Sequence, residues 1–408
     1  MTQIVPQDHI EPTIYVPRPA SDIPPRKWLY GRHLISGFVS LTVAPGGVGK
    51  SSMLLVEALS MATGYGFLGD LPIRPLRVWV WNGEDPREEI ERRVAAACIR
   101  HNITPDKIED RLMFDSGRDV PIEIVRYHSS TGAIASPIVD ELIEAIQKHE
   151  INVLIIDPFV TSHKAPENDT TAMNAVVAEW RKIADVTGCA IELVHHTTKA
   201  GARSPQEADI YASRGAGAVL DGVRSARILT RMTRDQAKEF GIEGSAAPYF
   251  RVDNGKANLA PPEKAKWRKM EGVSLDNGCD DWIEGDTVGV CVSWEPPDFA
   301  PDFDDEKLIA VQNAINTRET PPMHSDRAKE WVGYLVAEVL KLDVGTGLAK
   351  AQRTSLHEYN RKIVKGNIYK WIANGRLEFQ DIYVPRQGKT QRFVLAGEMP
   401  VIKDDATD

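Results

Sequence analysis

The first two thirds of the chain alternate short apolar runs with longer amphipathic stretches, which predict strands and helices respectively. The predicted strands are Phe38–Val43, Arg77–Trp81, Val153–Asp157, Ala190–Val194 and Ala226–Thr230. The predicted helices between them are Ser51–Thr63, Pro86–His101, Pro137–His149 and Thr170–Thr187. Runs such as Val153–Ile156 are apolar on both faces, which is typical of parallel strands covered by helices on each side. The pattern therefore predicts an α/β domain with a mainly parallel central sheet flanked by helices.

The pattern changes at both ends of this domain. Residues 1–27 contain six prolines and little periodicity, which predicts an N-terminal proline-rich arm before a domain at residues 28–293. Residues 294–305 are acidic and rich in proline, a composition typical of linkers.

A smaller unit is predicted at residues 306–397, followed by a C-terminal tail at residues 398–408. Its predicted elements are helices Glu306–Asn316, Ser325–Leu340, Gly347–Ala351 and Arg361–Asn374 and strands Leu377–Val384 and Gln391–Leu395. Helices followed by a hairpin with a basic tip predict a winged-helix-like α+β domain.

The bulk composition limits the classes of partner. The 408 residues are 42% hydrophobic and 26% charged with a net charge of −9, so contact with nucleic acid requires local basic patches. The four cysteines are scattered without a C-x-x-C pair, which favours a reducing compartment. No apolar run approaches the roughly 18 residues of a membrane span, and the N-terminus has no apolar signal core. We therefore expect a cytoplasmic protein without a membrane partner.

A phosphate-binding loop is the strongest chemical signal. Residues 44–51 read Ala-Pro-Gly-Gly-Val-Gly-Lys-Ser and fit the Walker A pattern G-x-x-x-x-G-K-[ST], except that Ala44 replaces the first glycine. Backbone N–H groups of such a loop surround phosphates, the lysine neutralises their charge, and the serine hydroxyl binds Mg²⁺. The predicted ATP-binding residues are Gly46, Gly47, Val48, Gly49, Lys50, Ser51 and Ser52. The cofactors implied are ATP and Mg²⁺.

Polar residues end three other predicted strands, at the sheet edge where α/β proteins bind ligands. Asp157 follows four apolar residues and is expected to hold Mg²⁺ together with Ser51. Glu84 is the expected carboxylate that orients the attacking water, while Asp85, before Pro86, fits a helix N-cap. At the third strand end, one of two adjacent histidines is expected to sense the γ-phosphate. The alternative is that both histidines only end the strand and have no role at the phosphates.

Six segments occur in the order found in one known family. They are Val43–Ser52, Asn82–Pro86, Ile155–Asp157, Val194–Lys199, Ala212–Ala216 and Gly255–Asn258. Across residues 28–270 the chain resembles the hexameric replicative helicases of the plasmid RepA type. These belong to the RecA-like (DnaB/KaiC-like) P-loop ATPases of plasmids, phages and mobile elements. The winged-helix-like unit is extra to the compact plasmid helicase and is similar to phage or mobile-element relatives.

The resemblance implies a RecA-like P-loop NTPase core assembled as a homo-oligomeric ring, with ATP between subunits. Lys50, Ser51, Glu84 and Asp157 would act within one subunit. His196, rather than His195, matches the γ-phosphate sensor. Arg214 matches the arginine finger supplied to the neighbour's ATP, and Lys256 matches its companion cation.

Single-stranded DNA would contact two loops, at residues 159–171 and 197–213, through Lys164, Lys199, Arg203 and His163. In the C-terminal unit, residues 325–393 contain 13 lysine and arginine residues against 7 acidic ones, which favours DNA, including duplex DNA. The candidate contacts there are Arg361, Lys362, Lys365 and Lys370 on a helix and Arg386 and Lys389 on the wing. A protein-docking module with a solvated basic face is the alternative for this unit.

Three functions remain open at this point. The leading one is an ATP-dependent DNA translocase, a ring-forming replicative DNA helicase. The second is a RecA-like ATPase that acts as a recombination mediator or nucleoprotein loader without unwinding. The third is an ATP-gated DNA-binding regulator. The motifs specify ATP chemistry but do not distinguish among these.

Overall fold

The computed structural model describes residues 11–128, 132–197, 216–242, 244–260, 265–297, 299, 301, 303–385 and 388–400. The first strands along the chain are β1 (Trp28–Tyr30), β2 (Leu34–Ile35), β3 (Val39–Pro45), β4 (Val78–Asn82), β5 (Leu112–Ser116), β6 (Val125–His128), β7 (Gly132–Ala135) and β8 (Val153–Asp157). They are followed by β9 (Ala190–Thr197), β10 (Ser225–Arg231), β11 (Tyr249–Ala257), β12 (Lys266–Ser274), β13 (Thr287–Trp294), β14 (Leu377–Val384) and β15 (Lys389–Ala396).

The α-helices among these residues are α1 (Lys50–Thr63), α2 (Arg87–His101), α3 (Pro105–Ile108), α4 (Ile138–Lys148), α5 (Thr170–Thr187), α6 (Ala216–Gly222), α7 (Arg234–Glu239), α8 (Asp305–Asn316), α9 (Val332–Leu340) and α10 (Ser355–Ala373). Within this part of the chain, every helix is too short or too polar to cross a membrane.

Nine of the described strands form one sheet in the order β13-β12-β11-β10-β3-β9-β8-β4-β5. The six strands from β10 to β5 are parallel, and β11, β12 and β13 extend the sheet in antiparallel fashion. The predicted parallel α/β sheet is therefore confirmed. All five predicted strands lie in it, with ends that shift by at most three residues.

The antiparallel extension curves back over one face of the sheet. Helices α1 and α2 follow the parallel strands β3 and β4, yet both also pack against β13 at the far end. Helices α4 and α5 cover the other face, where Trp180 and Phe159 lie fully buried in the largest apolar cluster. The sheet thus encloses α1 and α2 on more than one side, and this curvature brings β13 to the phosphate-binding loop.

A buried ionic cluster connects α1 to the sheet beneath it. The Arg227 guanidinium donates to both carboxylate oxygens of Glu57, at 2.7 and 2.6 Å, and to Thr42 Oγ1 at 2.8 Å. Glu192 accepts from Thr42 and lies 2.8 Å from His33 Nε2. Removing one partner of such a buried network typically costs about 3–5 kcal/mol, because the other charge is left uncompensated. The cluster therefore holds α1 in a defined position on β3, β9 and β10.

The C-terminal unit has its own core, in which α8, α9 and α10 pack with the β14–β15 hairpin around Val311, Val336 and Val364. The order of helices followed by a hairpin agrees with the predicted winged-helix-like unit. The range predicted as a linker begins at Trp294, the last residue of β13, which packs against Trp267. Phe299, within the same range, lies between Phe240 and Tyr359, so aromatic contacts join the two units.

Several predicted elements differ from the structure. The helix predicted at residues 325–340 starts only at Val332, because the chain before it forms turns in a loop that the backbone of Met323 closes, donating to the Glu330 carbonyl and accepting from the Val332 nitrogen. Residues 347–351 hold one short 3-10 turn that starts at Lys350. Helix α10 starts at Ser355, six residues earlier than predicted, because Thr354 caps it.

Candidate functional site

The phosphate-binding loop joins β3 to α1, as predicted. Gly47 and Gly49 have φ angles of 67° and 103°, a conformation that glycine adopts without steric cost. A Cβ atom at Gly49 would also lie 2.6 Å from Met270 Sδ, so the loop has no room for a side chain there. The Arg231 guanidinium, at the end of β10, donates to the Gly46 carbonyl at 2.8 Å and holds the loop from the neighbouring strand.

Lys50 lies at the centre of the predicted catalytic group. Its buried ammonium donates to Asp157 Oδ1 at 3.1 Å and to His196 Nε2 at 3.2 Å. Asp157 ends β8 and His196 lies near the end of β9, so three motifs that are far apart in sequence meet at one sheet edge. The chain thus brings together Lys50, Asp157 and His196 as the sequence predicted.

The two histidines at the end of β9 differ in environment. Burial and the Lys50 ammonium lower the pKa of His196, against the opposing influence of Asp157 and Glu84. A neutral imidazole is therefore favoured, and its Nε2 accepts the hydrogen bond from Lys50. His195 points away from the cleft into the protein, and burial lowers its pKa to about 4. The choice of His196 over His195 as the residue near the phosphates agrees with this geometry.

Glu84 is exposed and lines the same cleft as Lys50 and Ser51. Its backbone is fixed by Asn82 Oδ1, which accepts from the backbone nitrogens of Glu84 and Asp85 at 2.9 and 2.8 Å. Gly83 permits this turn to approach Thr161, which a Cβ atom at residue 83 would strike.

The expectation that Asp85 caps α2 is wrong. Pro86 occupies the N-cap without a side-chain hydrogen bond. The Asp85 carboxylate instead accepts from Arg93 Nη1 at 2.7 Å, because about two turns of helix bring Arg93 back over the strand end.

The antiparallel extension supplies a wall of the cleft that the sequence did not predict. The cleft has a volume of about 550 Å³, and Met270, Asp286, Thr287, Val288 and Gly289 line it opposite the phosphate-binding loop. Ser52 holds this wall in place, because its hydroxyl donates to the Gly289 carbonyl at 3.1 Å and accepts from the Cys291 nitrogen at 2.9 Å. The Ser52 side chain is thus committed to β13, which leaves its backbone N–H as the group available to phosphate.

Arg92 and Arg93 on α2 also line the cleft and were missed from the sequence. Arg92 contacts Asp286 at 3.2 Å, and Arg93 contacts Glu89 at 3.0 Å in addition to Asp85. Their place in the cleft could not be predicted from the sequence, because it depends on how α2 packs against β13.

The donor set fits a magnesium nucleotide. Mg²⁺ is usually held by one or two carboxylates with substrate phosphates and water, a requirement that Asp157 and the Ser51 hydroxyl meet. The glycine loop, the N-terminus of α1 and the Lys50 ammonium present positive charge to phosphate oxygens. The cleft is open on one side, so a nucleotide can enter without rearrangement of the sheet.

Lys256 lies at the opposite edge of the sheet from the cleft. It pairs with Ala226 at the start of β10, whereas the phosphate-binding loop follows the end of β3. Its ammonium donates to the Leu220 carbonyl at 2.8 Å, and partial burial lowers its pKa against the opposing effect of Asp221. Lys256 therefore does not contribute to the nucleotide cleft of the same chain.

The residues expected to contact DNA differ in their exposure to solvent. Lys164 is exposed, but the expectation for His163 is wrong, because the ring is buried against Phe159. Four expected residues lie outside the described residues. They are Lys199 and Arg203 of the second loop, Arg386 of the wing, and Arg214, the expected arginine finger.

The expectation for Arg361 is also wrong. Its side chain is only 3% exposed, its guanidinium lies 4.3 Å from the Trp331 ring centroid, and it donates to the Asp326 carbonyl at 3.1 Å. Lys365 is half-buried and forms an ion pair with Asp326. Lys370 is half-buried, and Lys389 is exposed near the hairpin tip.

The fold and the cleft together define a RecA-like P-loop ATPase domain. A family model described as an AAA domain matches residues 16–202, a range that contains Lys50, Glu84, Asp157 and His196. Among solved structures, a RadB recombinase is similar with a TM-score of 0.37 and 9% sequence identity. That match covers 58% of this chain and 88% of the recombinase chain. The assignment of the class rests on the strand order and the phosphate-binding loop of this chain.

Proposed function

We propose that this protein is an ATP-dependent DNA translocase, a ring-forming helicase that resembles the plasmid RepA type. The observation that supports the proposal best is the contact of Lys50 with both Asp157 and His196. In this proposal Lys50 neutralises phosphate charge, Ser51 and Asp157 hold Mg²⁺, and Glu84 orients the attacking water. Bound Mg²⁺ would offset the negative charge that builds up on the phosphate oxygens.

His196 is proposed to link ATP to DNA. Its imidazole lies at the Lys50 ammonium, and β9 ends one residue later, at Thr197. The chain after Thr197 is the loop for which the resemblance implies contact with single-stranded DNA. A change at the phosphates therefore acts on this loop through one strand end, which gives a short mechanical path from hydrolysis to movement along DNA.

A second copy of the chain is proposed to complete the active site. Lys256 lies far from its own cleft, which is compatible with a cation supplied to a neighbour, and Arg214 is proposed as the arginine finger. The arm also supports assembly, because Ile14, Tyr15 and Val16 are 87%, 78% and 76% exposed. Consecutive apolar side chains of this kind are normally covered by another surface.

Strand displacement tests the translocase function directly. Forked DNA with a 5′ or a 3′ single-stranded tail is mixed with the protein and Mg-ATP, and release of the labelled strand is followed. We expect release from one of the two tail polarities and none with Glu84→Gln. ATP hydrolysis that DNA stimulates without strand release would favour the nucleoprotein loader over the helicase.

Mixing experiments test the role of Arg214. Arg214→Ala subunits retain Lys50 and Glu84, and Glu84→Gln subunits retain the finger, so mixed rings contain complete sites and should recover ATPase activity. The matched control mixes Lys50→Ala with Glu84→Gln, which damage the same side of the site and should stay inactive together. No recovery in rings shown independently to be mixed would refute the finger assignment.

A further inference from the structure

The C-terminal unit contains a small cavity apart from the nucleotide cleft. It has a volume of about 270 Å³ and lies between the segment before α9 and one face of α10. Its lining combines ring systems with hydrogen-bonding groups, namely His324, Ser325, Asp326, Trp331, Lys365 and Tyr369. Pockets for drug-sized ligands usually measure roughly 300–1,000 Å³, so this cavity suits a smaller, planar group.

The rings of the cavity are arranged around its mouth. Tyr369 is 54% exposed, and its hydroxyl lies 3.1 Å from His324 Nε2. The His324 ring packs edge-on against Tyr369 and against Phe379 of β14, with centroids 5.7 and 4.7 Å away. An exposed aromatic ring fixed by a second ring is a surface on which another flat ring can stack without much loss of conformational freedom.

The polar groups suit the edge of a nucleobase. Asp326 offers carboxylate oxygens as acceptors and Lys365 offers ammonium donors, and the two are held together at the cavity. Burial lowers the pKa of His324, with a further lowering from Arg392 and an opposing effect of Asp326. The imidazole is therefore neutral near pH 7, and because the Tyr369 hydroxyl already engages Nε2, Nδ1 is the ring nitrogen left for a base.

A track of rings and cations leads from the cavity toward the hairpin tip. Phe379 and Tyr383 lie on the same face of β14, since every second side chain of a strand points to the same face and these two are four residues apart. The Arg392 guanidinium lies 5.2 Å from the Phe379 ring and donates to both carboxylate oxygens of Asp381, at 2.9 and 3.0 Å, and Tyr383 is largely exposed. Lys389 follows at the tip. Exposed rings beside cations are the kind of surface by which proteins bind single-stranded nucleic acid.

We propose that this cavity, together with Phe379 and Tyr383, binds an unpaired nucleobase of single-stranded DNA. The inference rests on the proposed function and names where the C-terminal unit would contact the DNA. It also changes the mode of contact, because Arg361 on α10 is buried and cannot reach a duplex groove. The base stacks on Tyr369, and the DNA backbone follows the hairpin toward Lys389.

The test uses the full chain and a fluorescent single-stranded oligodeoxynucleotide. Removal of the ring in Tyr369→Leu should weaken binding roughly tenfold, in line with the usual contribution of one stacked base. Tyr369→Phe keeps the ring and should bind within about twofold of the wild type, which separates loss of stacking from loss of folding. Tyr65→Leu removes a ring of similar exposure, 52%, from the ATPase unit and should leave binding unchanged.

A second probe separates stacking from charge. An oligonucleotide of the same length with abasic sites retains every phosphate, so it should bind the wild type roughly tenfold more weakly, and Tyr369→Leu should not weaken it further. Equal binding of both oligonucleotides, or unchanged binding by Tyr369→Leu, would overturn the proposal. If ATP-dependent strand release persists although the cavity shows no preference for bases, the proposed translocase function stands without the cavity. DNA binding that depends on the bases, without strand release, would support base binding at the cavity and contradict the proposed helicase function.

Discussion

The nucleotide cleft and helix α10 are the two places where the sequence concentrates ligand-binding candidates, and their structures differ. In the cleft, Lys50, Asp157 and His196 come from three separate elements and meet within hydrogen-bonding distance. On α10 the candidates are neighbours in sequence, yet Arg361 is buried against Trp331 and Lys365 is held by Asp326. Closeness in sequence was thus the poorer guide to a shared site.

The difference lies in what orients a side chain. The carboxyl ends of parallel strands always meet at one edge of a sheet, so a polar residue that ends an apolar strand is placed by topology alone. A helix turns by about 100° per residue, and the face it shows to solvent depends on what packs against it. In α10, the apolar core residues Val364 and Ile368 are interleaved with lysines, so the solvent face is not evident from the pattern.

The largest expected effect tests the cleft side of this comparison. Glu84→Gln should lower the rate of ATP hydrolysis by about 10²–10⁴-fold with nucleotide binding retained, because the carboxylate acts on water. Lys50→Ala should instead weaken nucleotide binding itself, since the ammonium contacts phosphate. Turnover and equilibrium binding of a fluorescent ATP analogue separate the two. Glu88→Gln, on the exposed start of α2, is the control and should behave as wild type.

The next largest effect concerns the buried histidines behind the cleft. Burial lowers the pKa values of His163 and His195 to about 4, whereas unfolded histidine titrates near 6.5. Between those values the unfolded chain binds more protons, so the free energy of unfolding falls as pH falls. We expect a loss of about 2 kcal/mol per histidine between pH 7 and pH 5.

Urea unfolding at both pH values measures this dependence. His163→Leu should reduce the difference in the free energy of unfolding between pH 7 and pH 5. His149→Gln, which alters an exposed histidine, should leave that difference unchanged. An unchanged slope in His163→Leu would mean that His163 does not titrate as the buried geometry requires.

A smaller effect addresses α10. Arg361→Met should reduce the free energy of unfolding by about 1–3 kcal/mol, because the carbonyl of Asp326 loses its donor. Lys389→Met should keep the melting temperature and lower the salt dependence of DNA binding by roughly one phosphate contact. Thermal unfolding and salt titration of DNA affinity check both. If Arg361→Met keeps the melting temperature but lowers the salt dependence of DNA binding, Arg361 contacts DNA and the contrast between the cleft and α10 is wrong.

The smallest effect distinguishes two adjacent serines. Ser52→Ala should cost about 1–2 kcal/mol of stability, since the hydroxyl bridges Gly289 and Cys291. Ser51→Ala should leave stability nearly unchanged, slow ATP hydrolysis and raise the Mg²⁺ concentration at which hydrolysis is half-maximal, because one Mg²⁺ ligand is lost. Melting temperatures and Mg²⁺ titrations compare them. Equal behaviour of the two variants would show that the wall of the cleft does not depend on Ser52.

Much of the ATPase unit was predictable from local pattern. Five of its six parallel strands and its four long helices follow from apolar runs and amphipathic periodicity, and the residues at the strand ends identify the cleft. The antiparallel strands β11–β13 were missed, because sequences such as that of β12 (Lys-Trp-Arg-Lys-Met-Glu-Gly-Val-Ser) mix charge and apolar residues. Half-exposed strands bury too little apolar surface to produce a continuous apolar run.

The sequence alone determined the glycine loop, Lys50, and the polar residues at the strand ends, because each depends on chemistry and chain order within a few residues. Only the tertiary structure decided that β12 and β13 curve over α1, so that Met270 and Gly289 form a wall of the nucleotide cleft. It likewise decided that Arg361 packs on Trp331 instead of facing solvent. Contacts between residues far apart in the chain depend on the summed packing of whole elements, and a local sequence pattern does not encode that sum.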